Sequence, residues 1–383
     1  MNLDLGVGLI CLATWIYLLA FRGGFWRGRE RDDLDALAEP TSWPAVVAVV
    51  PARNEADVVG QAVGSLRRQD YPGLFRIILV DDGSDDGTAD AALGTGGDHP
   101  LEVIAGAPLI EGWTGKLWAQ SQGVAKAAQF EPVYIWFTDA DISHDRSNLR
   151  ALVARAEAGE LALTSLMARL TVRSGWERML IPAFVFFFQM LFPFAWVNDP
   201  RRRTAAAAGG CMLARRTALE AAGGMATIAG EIIDDCALAR ALKRHGPIWL
   251  GLTRRCQSLR PYAGLGQIGR MVARSAYAQL GFSPWLLAGV LVGMALVFVA
   301  PPLLWLIPGL GQPLGLLAWI AMACAIQPTL RIYRLGAVWG LTLPFAGALY
   351  GAFTVWSAIQ HWRGQGGMWK GRIQAGGYKE VRG

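Results

Sequence analysis

The fold is decided by the stretch VVAVVPARNE, residues 46–55. Its first five residues are an unbroken run of valine and alanine, which is typical of a strand buried on both faces. Three further apolar runs lie at residues 76–80, 101–105 and 133–137, and helical patterns lie at 57–69, 116–128 and 148–158. Strands that alternate with helices predict an α/β domain with a parallel sheet covered on both faces. Ligands bind at the carboxyl ends of such strands, so we expect the chemistry just after each run.

Polar motifs follow three of these four runs. They are PARNE at residues 51–55, DDGSDDGT at 81–88 and TDAD at 138–141. Each motif alone is weak, because Asp-Gly-Ser is a common turn and a D-x-D triplet often arises by chance. Together, in this order and each at the end of a strand, they predict one site.

The residue types suit a nucleotide-diphosphate sugar. Its two phosphates, and the charge that develops when the sugar–phosphate bond breaks, call for a divalent cation with oxygen ligands. Asp139 and Asp141 can share that duty. Asp82 can accept a hydrogen bond from N3–H of uracil, which favours uracil over cytosine. An alternative for residues 81–88 is a capped turn into a helix, with Ser84 or Asp85 as the N-cap.

The two ends of the chain are apolar. The 383 residues are 53% hydrophobic and only 17% charged, and they include 16 tryptophans, which suit a lipid–water boundary. Runs at 5–21, 282–310, 313–330 and 335–359 are each long enough to cross a membrane. The basic residues behind the net charge of +6 cluster next to these runs, so we interpret them as topology determinants and anionic-lipid contacts rather than a nucleic-acid surface.

Charge predicts the topology of the anchor. Arg22 and the arginines after it follow the first run, so residues 1–22 are expected to be an uncleaved anchor with the next segment in the cytoplasm. Four spans would then place the basic tail, residues 361–383, outside, against the charge rule. The conflict is removed if one stretch of the region 282–360 is re-entrant or lies in the interface. The sequence leaves the number of crossings open.

A fifth apolar run, residues 179–197, is predicted to lie in the interface. A crossing there would put the carboxylates before and after it on opposite sides of the membrane. Pro182, Gln189 and Pro193 lie within it. The alternatives are an ordinary core helix and a true span.

A zinc site is not expected. The five cysteines show no metal-ligand spacing, and the four histidines are scattered. The odd number of cysteines fits a reduced compartment.

The three motifs closely resemble the nucleotide-binding signatures of the inverting family-2 (GT-A) glycosyltransferases, over residues 44–270. The resemblance implies a Rossmann-like GT-A domain that binds a UDP-sugar. It implies that Asp139 contacts the ribose or a metal-bound water, and that Asp141 is a ligand of Mg or Mn. The residues that it implies at the nucleoside are Pro51, Ala52, Arg53, Glu55 and Asp82.

Two more stretches match this family. GWTGKLWA, residues 112–119, resembles its glycine–lysine loop, which makes Lys116 a counter-charge to the diphosphate. EIIDDCAL, residues 231–238, resembles its acidic pair, which makes Asp235 the base for the acceptor hydroxyl and Asp234 its acidic neighbour. The alternatives are a surface lysine in a first helical turn and an acidic helix start.

Two matches concern the end of the domain and the acceptor. QIGRM, residues 267–271, resembles the Q-x-x-R-W signature, so Gln267 and Arg270 are expected at the diphosphate, but Met271 replaces the tryptophan. This replacement weakens the case for a processive synthase. GGCML, residues 209–213, resembles the loop that faces the acceptor. The alternative for that loop is a simple strand–turn–helix.

The whole arrangement is most similar to the hopanoid-biosynthesis-associated glycosyltransferases of bacteria, and more distantly to ceramide glucosyltransferases. The resemblance implies a hexosyltransferase-type enzyme at the cytoplasmic face of a bacterial inner membrane. Its acceptor would be a membrane lipid, such as a hopanoid or related isoprenoid. Two alternatives remain: a processive polysaccharide synthase, and a membrane protein that binds nucleotide without turnover.

Overall fold

The structure, a computed structural model, describes residues 3–34, 37–369 and 372–373. Most of the predicted basic tail, including Lys370, Lys379 and Arg382, lies outside the described residues. The chain forms two compact units. For the described residues within each range, the sheet unit comprises Glu30–Leu170, Trp196–Arg260 and Met368–Gly383, and the helix unit comprises Met1–Arg29, Thr171–Ala195 and Pro261–Gly367.

The described strands, in chain order, are β1 Val46–Ala52, β2 Phe75–Asp81, β3 Leu101–Ala105, β4 Tyr134–Phe137, β5 Ile142–His144, β6 Leu163–Arg169, β7 Met212–Arg215, β8 Ile248–Ser258, β9 Met368–Trp369 and β10 Arg372–Ile373.

The described α-helices are α1 Leu3–Phe21, α2 Val59–Arg67, α3 Thr88–Leu93, α4 Gly115–Ala127, α5 Asn148–Ala158, α6 Gly175–Leu191, α7 Phe194–Asn198, α8 Arg216–Ala221, α9 Asp234–Leu242, α10 Leu265–Ala273, α11 Ala276–Gln279, α12 Pro284–Met294, α13 Ala300–Leu306, α14 Gln312–Ala325, α15 Gln327–Ile332 and α16 Leu343–Trp362. Short 3-10 segments lie at Phe25–Arg27, Ala128–Phe130, Gly224–Ile228 and Ala337–Thr342, and a π-helical turn lies at Ala295–Val299.

The first four strands form the predicted parallel sheet. β1 lies between β2 and β4, and β2 pairs with β3, all in parallel. Every residue of β1 is buried, as expected for a strand covered on both faces. The four predicted strands and three predicted helices are all present, with ends that shift by at most two residues.

The second half of the sheet is mixed, with β6 and β8 paired in parallel, so the prediction of a wholly parallel sheet was wrong there. The full order is β3-β2-β1-β4-β7-β6-β8-β5. β7 runs antiparallel to both β4 and β6, and β5 runs antiparallel to β8. Only residues 138–141 separate β4 from β5, which is too short for the crossover that a parallel neighbour needs. β5 therefore does not extend the parallel half, and it pairs instead with residues 256–258 at the end of β8.

Close packing of α4 on the sheet brings its N-terminus to the site. Gly123 faces β1, where an added Cβ would overlap Cγ1 of Val49. Glycine at this position lets the helix approach the strand closely. The N-cap is Thr114, whose hydroxyl accepts a hydrogen bond from the backbone N–H of Leu117 at 3.4 Å.

The helix unit contains four apolar helices that fit transmembrane anchors. Among the described residues, helices of sufficient length and hydropathy to cross a membrane are Leu3–Phe21, Pro284–Leu306, Gln312–Ile332 and Ala337–Trp362. They match the four apolar runs of the sequence. The predicted interfacial segment forms α6 and α7, which are separated at Pro193. A capping box of Ser174 and Glu177 begins α6.

Candidate active site

The loops after β1 and β2 interlock. The backbone N–H of Asn54 donates to the hydroxyl of Ser84 at 3.0 Å, and that of Glu55 donates to the hydroxyl of Thr88 at 2.9 Å. Asn54 adopts a left-handed conformation, with φ of 50°, which asparagine tolerates better than most residues. These cross-loop bonds fix the two predicted nucleotide-binding motifs against each other.

Arg53 joins the same two loops. Its guanidinium donates to the backbone oxygens of Asp82 and Gly83, the latter at 3.1 Å. Asp82 is only 3% exposed, and its backbone N–H donates to the carbonyl of Ala52 at 2.8 Å. Pro51 lies buried at the end of β1. Thus the residues predicted to bind the nucleoside form one hydrogen-bonded edge of the sheet.

The alternative for residues 81–88 was wrong in detail. The N-cap of α3 is Gly87, not Ser84 or Asp85, and the carboxylate of Asp86 accepts from the backbone N–H of Thr88 at 3.1 Å. Ser84 instead donates to Oδ1 of Asp81 at 2.5 Å. The motif is a loop built before the helix rather than part of a capped helix start.

Lys116 connects two motifs that are far apart in sequence. Its Nζ lies 2.9 Å from Oδ1 of Asp139 and 3.0 Å from Oδ2 of Asp234. Its side chain is only 14% exposed, so the alternative of a surface lysine was wrong. Burial lowers the pKa of Lys116, but the charges of Asp139 and Asp234 outweigh it and hold the pKa above its ordinary value. The ammonium is therefore charged and joins the D-x-D motif to the acidic pair.

The acidic pair begins α9. Asp235 accepts hydrogen bonds from the backbone N–H of Cys236 at 2.7 Å and of Gly209 at 3.0 Å. Burial and the charge of Asp234 raise the pKa of Asp235 to about 6, although Lys116 and the two backbone donors oppose the shift. The acidic helix start proposed as an alternative describes the local structure correctly. The same carboxylates also face Lys116, which a helix start alone does not require.

Gly209 leaves little space beside these charges. An added Cβ would lie 3.3 Å from Nζ of Lys116 and 3.6 Å from Oδ2 of Asp235. The loop before β7, which was predicted to face the acceptor, therefore forms part of the charged cluster.

Asp141 lies in a second group of charges. Its Oδ2 accepts from the hydroxyl of Ser258 at 3.5 Å and lies 3.9 Å from Nε of Arg260. Burial, and then the charges of Asp139 and Glu55, raise the pKa of Asp141 to about 6, against the opposing charge of Arg260. Carboxylates that repel one another in this way form a donor set of hard oxygens, which fits Mg or Mn.

Arg260 was missed by the sequence analysis. Its guanidinium forms an ion pair with Glu55 and lies 3.3 Å from Oδ1 of Asp57. Glu55 was assigned to the nucleoside, but its carboxylate lies with the Asp141 group. Arg260 follows β8, a strand that was not predicted. The apolar run at residues 248–252 indicated the strand, but Arg254 and Arg255 follow that run more closely, so the sequence did not single out Arg260.

Gln267 and Arg270 belong to the helix unit, on α10. Both are exposed, and Oε1 of Gln267 accepts from the backbone N–H of Ala263 at 2.8 Å. Their assignment to the diphosphate stays a prediction.

Three residues with metal-ligand chemistry converge in the sheet, although they are scattered in the sequence. Ligand atoms of His144, Cys211 and Cys256 lie within 4.8 Å of one another, all buried. Antiparallel pairing of β5 with β8 sets His144 opposite Cys256. Nε2 of His144 is 2.8 Å from the Thr138 hydroxyl, and Nδ1 is 3.0 Å from Nδ2 of Asn148. Both ring nitrogens are thus already hydrogen-bonded.

Residues 47–223 match the family model for glycosyl transferase family 2. The chain carries a family 2 glycosyltransferase domain. The match begins in β1 and includes the interlocked loops, Lys116 and the D-x-D motif, whereas the acidic pair at residues 234–235 and Arg260 lie beyond it. No curated protein matches the glycosyltransferase in sequence.

The chain is similar to solved structures, to different degrees. The mannosyltransferase PcManGT from Pyrobaculum calidifontis, solved with GDP-Man and Mn2+, is 19% identical, with a TM-score of 0.56 over 94% of this chain and 99% of that chain. Glucosyl-3-phosphoglycerate synthase from Mycobacterium tuberculosis, solved with Mg2+ and UDP, is 18% identical, with a TM-score of 0.41 over 65% and 86%. TarS residues 1–349 from S. aureus, solved with UDP-GlcNAc, are 14% identical, with a TM-score of 0.38 over 84% and 92%.

Proposed function

We propose that this glycosyltransferase moves one sugar, with inversion, from a UDP-sugar to a hydroxyl of a membrane lipid, in a metal-dependent reaction. The observation that carries the proposal is the contact of Lys116 with both Asp139 and Asp234. The buried ammonium of Lys116 thus contacts both Asp139, which is expected to bind the donor, and Asp234 of the acidic pair, which is expected to activate the acceptor. Donor and acceptor groups can therefore meet in one site.

The interlocked loops support the assignment of the nucleotide. Asp82 is held by backbone bonds at the edge of the sheet where the two loops meet. Its carboxylate can accept from N3–H of uracil. Because Arg53 is engaged with backbone oxygens of the second loop, we assign it to shaping the nucleoside site.

Asp141 would hold the divalent cation, with Asp139 as a further ligand or as a partner of ribose. Bound there, Mg or Mn would neutralise the charge that grows on the departing diphosphate. Burial is the largest cause that raises the pKa of Asp141, and repulsion from Asp139 and Glu55 adds to it. A bound cation would relieve that repulsion, which supports this assignment. Lys116, charged beside Asp139, adds a fixed positive charge on the same side.

Asp235 would take the proton of the acceptor. As the acceptor oxygen attacks the anomeric carbon, its proton passes to the Asp235 carboxylate, and the bond from that carbon to the diphosphate oxygen breaks. The pKa of about 6 leaves Asp235 ionised at neutral pH and still basic enough to accept a proton. The N–H of Gly209 and the N–H of Cys236 hold this carboxylate in position.

The four apolar helices support a lipid acceptor. An enzyme with four apolar helices can receive a hydroxyl from a molecule that never leaves the bilayer, and a hopanoid or related isoprenoid alcohol is the acceptor that we propose. Lys116 contacts residues on both sides of α6 in sequence, so α6 is not a single crossing that separates them. This supports an interfacial or core helix. We propose the cytoplasmic face of a bacterial inner membrane on the charge rule alone, from the arginines that follow the first apolar run.

Mass spectrometry tests the function. The purified full chain in nanodiscs, given a bacterial lipid extract, Mn2+ and UDP-hexoses, should release UDP and yield lipids heavier by one hexose. GDP-hexoses serve as the comparison donor. A series of products with increasing sugar number would favour a processive synthase. Nucleotide binding without any UDP release would favour a protein without turnover and contradict the proposal.

A further inference from the structure

Arg260 lies among the carboxylates that the proposed function assigns to the metal side of the site. It forms an ion pair with Glu55, and its Nη2 lies 3.3 Å from Asp57, while its Nε lies 3.9 Å from Asp141. The three partners come from two segments, the loop after β1 and the D-x-D motif. The guanidinium of Arg260 thus interacts with negatively charged side chains from both segments.

A guanidinium in this position competes with a divalent cation. Both are attracted by the same carboxylates, and they repel each other at short range. Arginine stays charged at every accessible pH, so the competition cannot be relieved by loss of a proton. Only added negative charge, or movement of the side chain, relieves it. The donor's diphosphate supplies that charge, and its oxygens suit the planar fork of a guanidinium.

We propose that Arg260 makes metal binding depend on the nucleotide. In the free enzyme its guanidinium interacts with the carboxylates of Glu55 and Asp141. The site binds a divalent cation tightly only after the diphosphate of the donor has bound. The inference rests on the proposed metal site. Because coupling between two ligands is reciprocal, the metal tightens nucleotide binding by the same factor. The residue acts through other groups and is a positioning residue for donor and metal.

Mn2+ binding to the full chain, measured by electron paramagnetic resonance of free Mn2+ with and without UDP, tests this role. Arg260→Gln should bind Mn2+ about tenfold more tightly than wild type in the absence of UDP, because one unit charge beside a divalent cation is removed. The factor by which UDP tightens Mn2+ binding should fall accordingly. Arg260→Lys keeps the charge and should retain most of the coupling.

Arg150→Gln is the matched control. The side chain of Arg150 is 32% exposed and pairs with two carboxylates, those of Glu39 and Asp70. Its exposure is therefore similar to that of Arg260, which is 35% exposed. This variant should bind Mn2+ and UDP as wild type does. Thermal unfolding of each variant shows whether a change in binding reflects loss of structure.

The outcomes separate this inference from the proposed function. Wild-type or weaker Mn2+ affinity in folded Arg260→Gln without UDP would overturn the role of Arg260 and leave the metal site standing. If neither protein bound Mn2+ even with UDP, the metal assignment would fall, and the inference with it. A loss of coupling in Arg260→Lys equal to that in Arg260→Gln would show that charge is not the cause, and would also overturn the role.

Discussion

Replacement of Lys116 by methionine removes the charge that keeps Asp235 ionised near neutral pH. Methionine retains most of the length of the side chain and lacks the ammonium that lies 3.0 Å from Asp234. In wild type the pKa of Asp235 is about 6, with Lys116 opposing burial and the charge of Asp234. A nearby opposite charge commonly lowers a carboxyl pKa by about 1–3 units, so its removal should raise the pKa to between about 7 and 9.

The sign and size of the effect follow from the role of the base. Asp235 accepts a proton only as the carboxylate, so activity should rise with pH through its pKa, and the variant's rise should move to higher pH. At pH 7 the ionised fraction should fall from about nine-tenths to between about one half and one hundredth. The two aspartates are adjacent and titrate together, so the profile reports the pair.

The assay is the pH dependence of kcat/KM for UDP release by the full chain in nanodiscs, from about pH 5 to 9. Lys126→Met is the control, because Lys126 lies on the same helix, α4, and pairs with Glu102 at 2.8 Å, away from the acidic pair in sequence. Its profile should match that of wild type. A Lys116→Met enzyme whose activity still rises near pH 6 would refute the electrostatic link between the two motifs.

Three further substitutions test other parts of the site. Asp141→Asn should abolish Mn2+-dependent UDP release, and turnover that is unchanged across a Mn2+ titration would refute the metal assignment. Gly209→Ala, which adds a Cβ 3.3 Å from Nζ of Lys116, should lower kcat by about tenfold or more with a smaller effect on UDP affinity. Gly96→Ala, in open space, is its control, and equal kinetics in the two variants would contradict the crowding argument. Arg270→Ala should weaken UDP binding and slow the reaction, and wild-type values of both would count against a diphosphate contact.

The parallel half of the sheet could be predicted from sequence because its strands are continuous apolar runs. β1 and β4 are buried along their whole length, and each polar motif follows directly from a strand end. The mixed half of the sheet gave no such signal. β5 has three residues and β7 has four, too few for a pattern to stand out, and their partners depend on how the chain returns to the sheet.

The individual carboxylates could be named from motifs, whereas the cations that join them could not. Lys116 was assigned to the diphosphate from its resemblance to the family's glycine–lysine loop, and its contacts with Asp139 and Asp234 could not be read from the sequence. Arg260 lies after an unpredicted strand and meets Glu55 only through the tertiary fold. His144 and Cys256 are likewise brought together by strand pairing. These contacts depend on the pairing of residues that are far apart in the chain, and local sequence patterns do not indicate that pairing.

Replacement of Asp235 by asparagine tests the central claim most directly. UDP affinity and the rate of sugar transfer to lipid should be measured on one preparation, with the metal present. The account predicts UDP affinity near that of wild type, together with a loss of transfer of about 100-fold or more, because asparagine keeps the shape of the side chain and cannot accept the proton. Transfer within a few-fold of wild type, or loss of UDP binding and transfer together in a folded protein, would contradict it.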